Sequence, residues 1–94
     1  MASVLVRHKV EDYDKWRAAF FQYGGTRQES GSQGVRVFRN TKDRNELLVL
    51  LEWDELERAH QFFQSEELRQ RMQRAGVTEQ PDIVFLEEVE RTSA

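Results

Sequence analysis

The most apolar stretch of the chain is Leu47–Leu51, an unbroken aliphatic run that leads into Glu52, Trp53 and Asp54. A strand with one face in water alternates apolar and polar residues, whereas a continuous apolar run is typical of a strand covered on both faces. Helices of the same chain can cover one face of this strand. In so small a protein the second face needs another copy of the chain, so the run predicts a central strand and a homodimer.

Three other segments have the two-residue alternation and the valine content of a strand. They are Ser3–Val10, Val35–Asn40 and Asp82–Val89, and the strand of the apolar run itself begins at Glu46. Only a short turn, Thr41–Asn45, separates the second strand from the third, which predicts an antiparallel hairpin. In the first strand the alternation gives one face to Val4, Val6, His8 and Val10.

The first helix is predicted to begin after Asp12, a good N-cap residue, and to end at Gly24 and Gly25, because glycine readily adopts the conformation that ends helices. Its apolar positions recur at helical spacing and form a wide aromatic stripe. The stripe consists of Tyr13, Trp16, Ala19, Phe20 and Tyr23. The segment Thr26–Gly34 that follows is polar and contains several glycines, which predicts a mobile loop.

A second helical segment follows the apolar run, with Asp54 as its predicted N-cap and Gly76 at its end. We expect a break near Gln64 and Ser65, because Ser65 interrupts the apolar stripe and can cap a new helix. The stripe before the break contains Leu56, Ala59, Phe62 and Phe63, and the stripe after it contains Leu68, Met72 and Ala75.

The predicted order of elements is β-α-β-β-α-β. This is the α+β, ferredoxin-like arrangement, a four-stranded antiparallel sheet with helices on one face. Right-handed crossovers give the strand order 4-1-3-2, in which the apolar third strand is central. The opposite face then carries aliphatic side chains such as those of Leu48 and Leu50. Because that face would be a large apolar patch in water, we expect two sheets to pack face to face in a twofold homodimer.

Composition and charge narrow the class of protein. The chain has 94 residues, which fits a single domain over residues 1–94, and its net charge is −3. An acidic chain with interspersed arginine and lysine is a poor partner for nucleic acid or for an anionic membrane. The chain has no cysteine, which excludes disulfides and thiolate chemistry and favours a cytoplasmic location. No apolar segment reaches about 18 residues, so we expect neither a signal peptide nor a membrane-spanning helix.

Short motifs with a characteristic order are spread over nearly the whole chain. They are Val6–Val10, Asp12–Trp16, Glu52–Asp54, Ala59–His60, Ser65–Leu68, Ala75–Val77 and Pro81–Ile83. In these motifs the chain resembles the antibiotic-biosynthesis-monooxygenase-like group of the dimeric α+β barrel superfamily, especially its small cyclase-like members. The resemblance implies a dimeric α+β barrel. The superfamily includes cofactor-free oxygenases of aromatic polyketides or quinols, haem-degrading enzymes and isomerases.

The haem-degrading branch of that superfamily would require an asparagine, a tryptophan and a helix-borne histidine around the porphyrin. This chain offers Trp53 and His60 for two of these roles. Its asparagines Asn40 and Asn45 both fall at the predicted hairpin turn, where the branch does not place its asparagine. This departure disfavours haem degradation, and we predict a protein without a cofactor.

The candidate catalytic residues are the two histidines of the chain, His8 and His60. We expect both to line a cavity between sheet and helices, where histidine can act as an acid or a base near neutral pH. The residues predicted to line the same cavity and bind substrate are Tyr13, Trp16, Phe38, Trp53 and Phe63. The alternative for each histidine is a partly buried imidazole bonded to a backbone carbonyl or to water. Because no third ligand stands at a recognisable spacing, no metal site is predicted.

Two functions remain open at this point. The first is a cofactor-independent monooxygenase, cyclase or isomerase acting on a small aromatic or polyketide-like substrate. It needs no flavin, because an electron-rich deprotonated substrate can itself reduce oxygen. The second is a non-catalytic dimeric ligand-binding or accessory module. An open cavity with both imidazoles facing it would favour the enzyme, whereas a filled core with both imidazoles bonded to backbone would favour the module.

Overall fold

The computed structural model describes residues 2–94. These residues form one sheet of four antiparallel strands and four helices. In chain order the elements are β1 (Ala2–Lys9), α1 (Tyr13–Gln22), α2 (Gly24–Ser30), β2 (Ser32–Arg39), β3 (Glu46–Trp53), α3 (Leu56–Phe63), α4 (Glu66–Arg74) and β4 (Asp82–Leu86). The strands lie in the order β2-β3-β1-β4, so the apolar β3 is central, between β2 and β1. The predicted strand order and the ferredoxin-like α+β class are confirmed.

The helices cover the sheet face that is built by alternate residues of the central strands. Its cross-strand pairs are Val4–Leu51, Val6–Val49 and His8–Leu47. All of these side chains are buried. Helices α1, α3 and α4 complete the same core with Trp16, Ala59, Phe62 and Leu68. The alternation of β1 therefore places His8 under the helices, as its pattern predicted.

The opposite face of the sheet is open. Its centre is half-buried and consists of Leu5, Leu48 and Leu50. Toward the two edges, Phe38 is 45 % exposed and Val84 is 47 % exposed. Monomeric proteins rarely expose a large continuous apolar surface. The open face therefore has the character expected of a surface that another protein surface covers.

The segment after α1 is helical, although its composition predicted a mobile loop over Thr26–Gly34. Helix α2 and the first residues of β2 occupy this segment. The Arg27 side chain packs α2 against α1: its guanidinium donates to the Phe20 carbonyl oxygen over 2.6 Å and lies 3.6 Å from the centre of the Phe20 ring. Tertiary contacts of this kind override weak local propensity. The helix ends at Gly31, whose φ of 120° is accessible mainly to glycine.

The second helical segment breaks where the sequence predicted. Ser65 separates α3 from α4, and its hydroxyl donates to the Phe62 carbonyl oxygen over 2.8 Å. The same hydroxyl accepts the backbone N–H of Leu68 over 3.2 Å and so caps α4. None of the helices in the described part of the chain is long and apolar enough to cross a membrane.

Several predicted boundaries are wrong by one to three residues. Strand β2 begins at Ser32 rather than at Val35, and Gly24 and Gly25, predicted to end the first helix, begin α2 instead, because α1 already ends at Gln22. Helix α3 has Glu55 as its N-cap rather than Asp54, whose carboxylate pairs with Arg58 one turn later instead of capping the helix. Strand β4 ends at Leu86 rather than at Val89, and the residues that follow it have no regular structure.

Candidate functional site

A cavity of about 510 Å³ lies between the covered face of the sheet and helices α1, α2 and α4. Its floor is formed by Val6, Val49 and Leu51, and α1 contributes the aromatic rings of Trp16 and Phe20. Ligand pockets commonly have ~300–1,000 Å³, mostly apolar walls and a few polar groups that fix the orientation of the ligand. The polar residues of this cavity are therefore the ones that decide what it can bind.

His8 is the histidine that faces this cavity. The residue is only 6 % exposed, and neither of its ring nitrogens has a hydrogen-bond partner within residues 2–94. Burial lowers the pKa of His8 to about 4, so its imidazole is neutral at physiological pH. A neutral imidazole has one N–H donor and one nitrogen acceptor. Because buried polar groups are normally hydrogen-bonded, a ligand hydroxyl suits the ring: it can donate to the acceptor nitrogen or accept from the N–H.

Arg27 of α2 brings a buried positive charge to the same cavity. The residue is 6 % exposed, and none of the ion pairs of the described residues includes it. Burial lowers the pKa of Arg27 to about 10, which leaves the guanidinium charged at neutral pH. Burial also raises the pKa of the Tyr23 hydroxyl in this cavity, so Tyr23 stays protonated.

The rest of the polar lining adds positive charge and no negative charge. Arg71 and Arg74 of α4 line the cavity, and no aspartate or glutamate of the described chain does. The Arg71 guanidinium lies 4.1 Å from the centre of the Tyr23 ring and pairs with Glu67 over 3.5 Å. The cavity is therefore positively charged in a protein whose net charge is −3.

Part of the predicted site is brought together at this cavity. His8, Trp16 and Phe63 line it, and the centres of the His8 and Trp16 rings are 5.6 Å apart. Tyr13 does not line the cavity, but its ring is 6.1 Å from that of Trp16. The roles of these residues in binding or catalysis stay predictions.

Three other predicted site residues lie elsewhere. The His60 ring lies against the edge strand β4, 3.8 Å from the ring of Phe85. Trp53 is fully buried in the core, where its indole N–H donates to the Ser30 carbonyl oxygen over 2.9 Å. Phe38 is on the open face, because the alternation of β2 turns it away from the helices. The structure thus does not bring both histidines, or all of the predicted aromatic residues, to one cavity.

Sequence reasoning missed the arginines of the cavity. Arg71 and Arg74 carried a signal, because they lie one turn apart at the border of the apolar stripe that begins at Leu68. The sequence around Arg27 gave no sign of its place in the cavity, since the segment resembles a polar loop. The burial of Arg27 depends on its contact with Phe20, which is a tertiary contact.

The residues that a haem site would need are not assembled. Trp53 belongs to the core, and the Asn40 side chain donates to the Glu46 carboxylate at the hairpin over 2.9 Å. Within residues 2–94, no group of three or more His, Cys, Asp or Glu side chains is placed to hold a metal ion.

A family comparison adds to this geometry. The sequence model described as antibiotic biosynthesis monooxygenase (ABM) matches residues 1–74, from the first strand through α4. Because the match covers most of the chain, the protein belongs to the ABM family, as the resemblance of its motifs implied. No curated protein sequence matches the chain.

Several solved structures share the fold. A Bordetella bronchiseptica protein described as a candidate antibiotic biosynthesis monooxygenase has a TM-score of 0.77 at 15 % identity, over 95 % of this chain and 97 % of that one. SnoaB of Streptomyces nogalater, a cofactor-independent oxygenase, has a TM-score of 0.77 at 9 % identity, over 99 % of this chain and 97 % of that one. A Deinococcus radiodurans protein, also described as a candidate antibiotic biosynthesis monooxygenase, has a TM-score of 0.68 at 18 % identity, over 100 % of this chain and 98 % of that one. At these identities the likeness shows the common fold alone.

Proposed function

We propose that this protein is a cofactor-independent monooxygenase that oxidises a small aromatic or polyketide-like substrate in the cavity between sheet and helices. The observation that carries the proposal is the buried imidazole of His8, which faces an apolar cavity of about 510 Å³ without a hydrogen-bond partner in the described chain. Membership of the ABM family supports it, and so does the fold shared with SnoaB, an oxygenase that works without a cofactor.

In this proposal His8 receives the proton whose loss activates the substrate. A phenol or enol hydroxyl donates a hydrogen bond to the acceptor nitrogen of His8 and transfers its proton there. The electron-rich anion then reduces molecular oxygen. When a CH₂ group of the substrate becomes a carbonyl, one oxygen atom of O₂ enters the substrate and the other leaves as water with both hydrogens. Trp16 and Phe63 would hold the flat ring by stacking against it.

The low basicity of His8 sets a condition on this step. With a pKa of about 4, His8 is a weak base, and each unit by which the pKa of the hydroxyl exceeds it costs about 1.4 kcal/mol. The positive charge of the cavity wall would stabilise the substrate anion and offset part of this cost. Proton transfer therefore depends on the arginines as well as on His8.

We also propose that the protein is a homodimer through the open sheet face. The support is the half-buried aliphatic centre of that face, with Leu48 and Leu50, and its exposed edge residue Phe38. Burying two such faces against each other would remove a continuous apolar surface from water, which favours association.

The test of the enzyme proposal is oxygen uptake by the purified protein with anthrone-type and naphthoquinol-type substrates. We expect substrate-dependent uptake that His8→Ala reduces about 100-fold or more. His60→Ala is the matched control, because His60 lies outside the cavity, and it should keep most of the activity. Full activity in His8→Ala, or no oxygen uptake with any substrate of these classes, would contradict the proposal.

A non-catalytic ligand-binding module is the second candidate, and the position of His60 favours it. With His60 against Phe85, only one imidazole faces the cavity, and one imidazole suffices to bind a hydroxyl without turnover. Saturable binding of an aromatic ligand that is recovered unchanged after long aerobic incubation would select the module.

A further inference from the structure

The burial of Arg27 is unusual for an arginine without an ion pair. Charged side chains are almost never fully buried unless they are paired, because removing an unpaired charge from water is costly. Arg27 is 6 % exposed, and its guanidinium is bonded only to a neutral group, the Phe20 carbonyl oxygen, and stacked on the Phe20 ring. These contacts position the guanidinium but do not neutralise it.

Arg27 differs from the other arginines in combining burial with the lack of a carboxylate partner, whereas Arg71 of the same cavity is exposed and pairs with Glu67 over 3.5 Å. Two arginines whose side chains are much more exposed do have carboxylate partners: Arg7 pairs with Glu46 over 3.2 Å, and Arg58 pairs with Asp54. The cavity instead gathers arginine side chains and, among the described residues, no acidic one. A buried positive charge that the protein leaves uncompensated suits a ligand that supplies the negative charge.

We propose that the cavity binds a flat aromatic ligand that carries a carboxylate, and that Arg27 is the residue that binds this carboxylate. A planar guanidinium matches a carboxylate through paired hydrogen bonds. One buried guanidinium balances a single charge, which favours a carboxylate over a phosphate with its charge of about −1.5 to −2. The aromatic part of the ligand follows from Trp16, Phe20 and Phe63, whose rings line the cavity.

This inference deepens the proposed function by naming the class of substrate, and it uses the same cavity. It rests on the proposed function only in treating the cavity as the ligand site. It needs no turnover, because it concerns the affinity for the ligand. His8, from β1, would then meet a second polar group of the ligand, such as a hydroxyl, while Arg27, from α2, holds the carboxylate.

The experiment compares two probes of nearly the same shape, 2-naphthoate and its uncharged amide, 2-naphthamide, in calorimetric titrations of the full chain. Charge-assisted hydrogen bonds predict that the wild type binds 2-naphthoate roughly 10-fold or more tightly than the amide. Arg27→Gln should reduce this preference to about 2-fold or less, and Arg27→Lys should retain part of it. A merely structural role of Arg27 would weaken both probes alike and leave their ratio unchanged.

Arg17→Gln is the matched control, since it removes the same charge from another arginine that lies over a phenylalanine. The Arg17 guanidinium is 4.9 Å from the centre of the exposed Phe21 ring, and Arg17 does not line the cavity. The Arg17→Gln variant should therefore keep the full wild-type preference for 2-naphthoate over 2-naphthamide. Circular dichroism shows whether each variant is folded, and the wild-type ratio tests the inference even if Arg27→Gln does not fold.

Equal affinity of the wild type for both probes, or binding of neither at millimolar concentration, would overturn the inference. So would a preference that survives in Arg27→Gln and is lost in Arg71→Gln. A preference for 2-naphthoate together with no oxygen uptake on any substrate would support the inference while contradicting the enzyme proposal. The two failures are therefore distinguishable.

Discussion

The two faces of the central sheet differ in how their polar side chains are satisfied. On the open face, two carboxylates of β3 are already paired within the chain: Ser3 donates to the Glu52 carboxylate over 2.8 Å, and Arg7 pairs with Glu46. On the covered side, His8 lacks a hydrogen-bond partner and Arg27 lacks a partner of opposite charge within the described chain. Side chains that are satisfied within the chain fit a surface for apolar contact, whereas unsatisfied ones beside a cavity fit a site for a polar ligand.

The largest difference between the faces should appear in stability. Leu47 is fully buried under the helices, and its neighbour Leu48 lies on the open face. Leu47→Ala should lower the free energy of unfolding by about 2–5 kcal/mol, because it leaves a cavity in the core. Leu48→Ala should cost less, and its effect should depend on protein concentration if the open face is the dimer interface. Equal, concentration-independent losses in urea titrations would show that the faces do not differ in this way.

The second difference concerns the pH dependence that His8 confers. Burial lowers the pKa of His8 from 6.5 to about 4, so below pH 6.5 the unfolded chain binds a proton that the folded chain does not. The free energy of unfolding should therefore fall by about 3 kcal/mol as the pH drops from about 7.5 to 4, with most of this fall below pH 6.5.

The check is the free energy of unfolding measured from pH 7.5 to 4 in the wild type and in His8→Leu. The variant should lack the contribution of His8, so that the wild type loses stability relative to the variant as the pH falls from about 7 to 4, and the two curves run parallel only near pH 7.5. His60→Leu is the control, because it keeps His8 and should follow the wild-type decline. Parallel curves for wild type and His8→Leu over the whole range would contradict the burial of a neutral His8.

A smaller effect is expected at the open face itself. Leu50→Lys places a charge at the half-buried centre of that face and should weaken self-association roughly 10-fold or more. Leu56→Lys makes the same change on α3, at a residue that is already 50 % exposed, and should leave association unchanged. Sedimentation velocity over a concentration series measures both. An association constant that Leu50→Lys does not change would refute pairing through this face.

The smallest effect is a gain in stability at the cavity. Arg27→Met keeps an unbranched side chain on the Phe20 ring but removes the buried unpaired charge. The free energy of unfolding should rise by about 1 kcal/mol, since residues kept for binding are often costly to stability. A fall of similar size in a denaturant titration would mean that Arg27 serves the fold rather than a ligand.

The sequence predicted most of the fold because the fold depends on patterns that are local. The unbroken apolar run Leu47–Leu51 identified the central strand, and the alternation of β1 placed His8 under the helices. The hydroxyl of Ser65 marked the helix break through its capping ability. Each of these signals is contained in a few neighbouring residues, so no tertiary information was needed to interpret it.

The site was less predictable because it depends on contacts between distant segments. His60 falls beside an apolar stripe, but only the packing of α3 against β4 shows that it meets Phe85 rather than the cavity. The burial of Arg27 depends on a helix that a glycine-rich, polar sequence does not suggest. The alternation of β2 separates Phe38 from Val35 and Val37. It does not show which of the two faces meets the helices, so the position of Phe38 on the open face could not be predicted.

The most direct test of the covered cavity as the functional site follows the imidazole nitrogen resonances of the protein by NMR during a titration with 6-hydroxy-2-naphthoate. This ligand carries a carboxylate for Arg27 and a hydroxyl for His8, and the chain has only two histidines to assign. We expect large, saturable shifts of the His8 nitrogens, small shifts for His60, and loss of both in Arg27→Gln at the same ligand concentration. Shifts confined to His60, or no shift of either imidazole while the ligand binds, would contradict the claim that the covered cavity is the functional site.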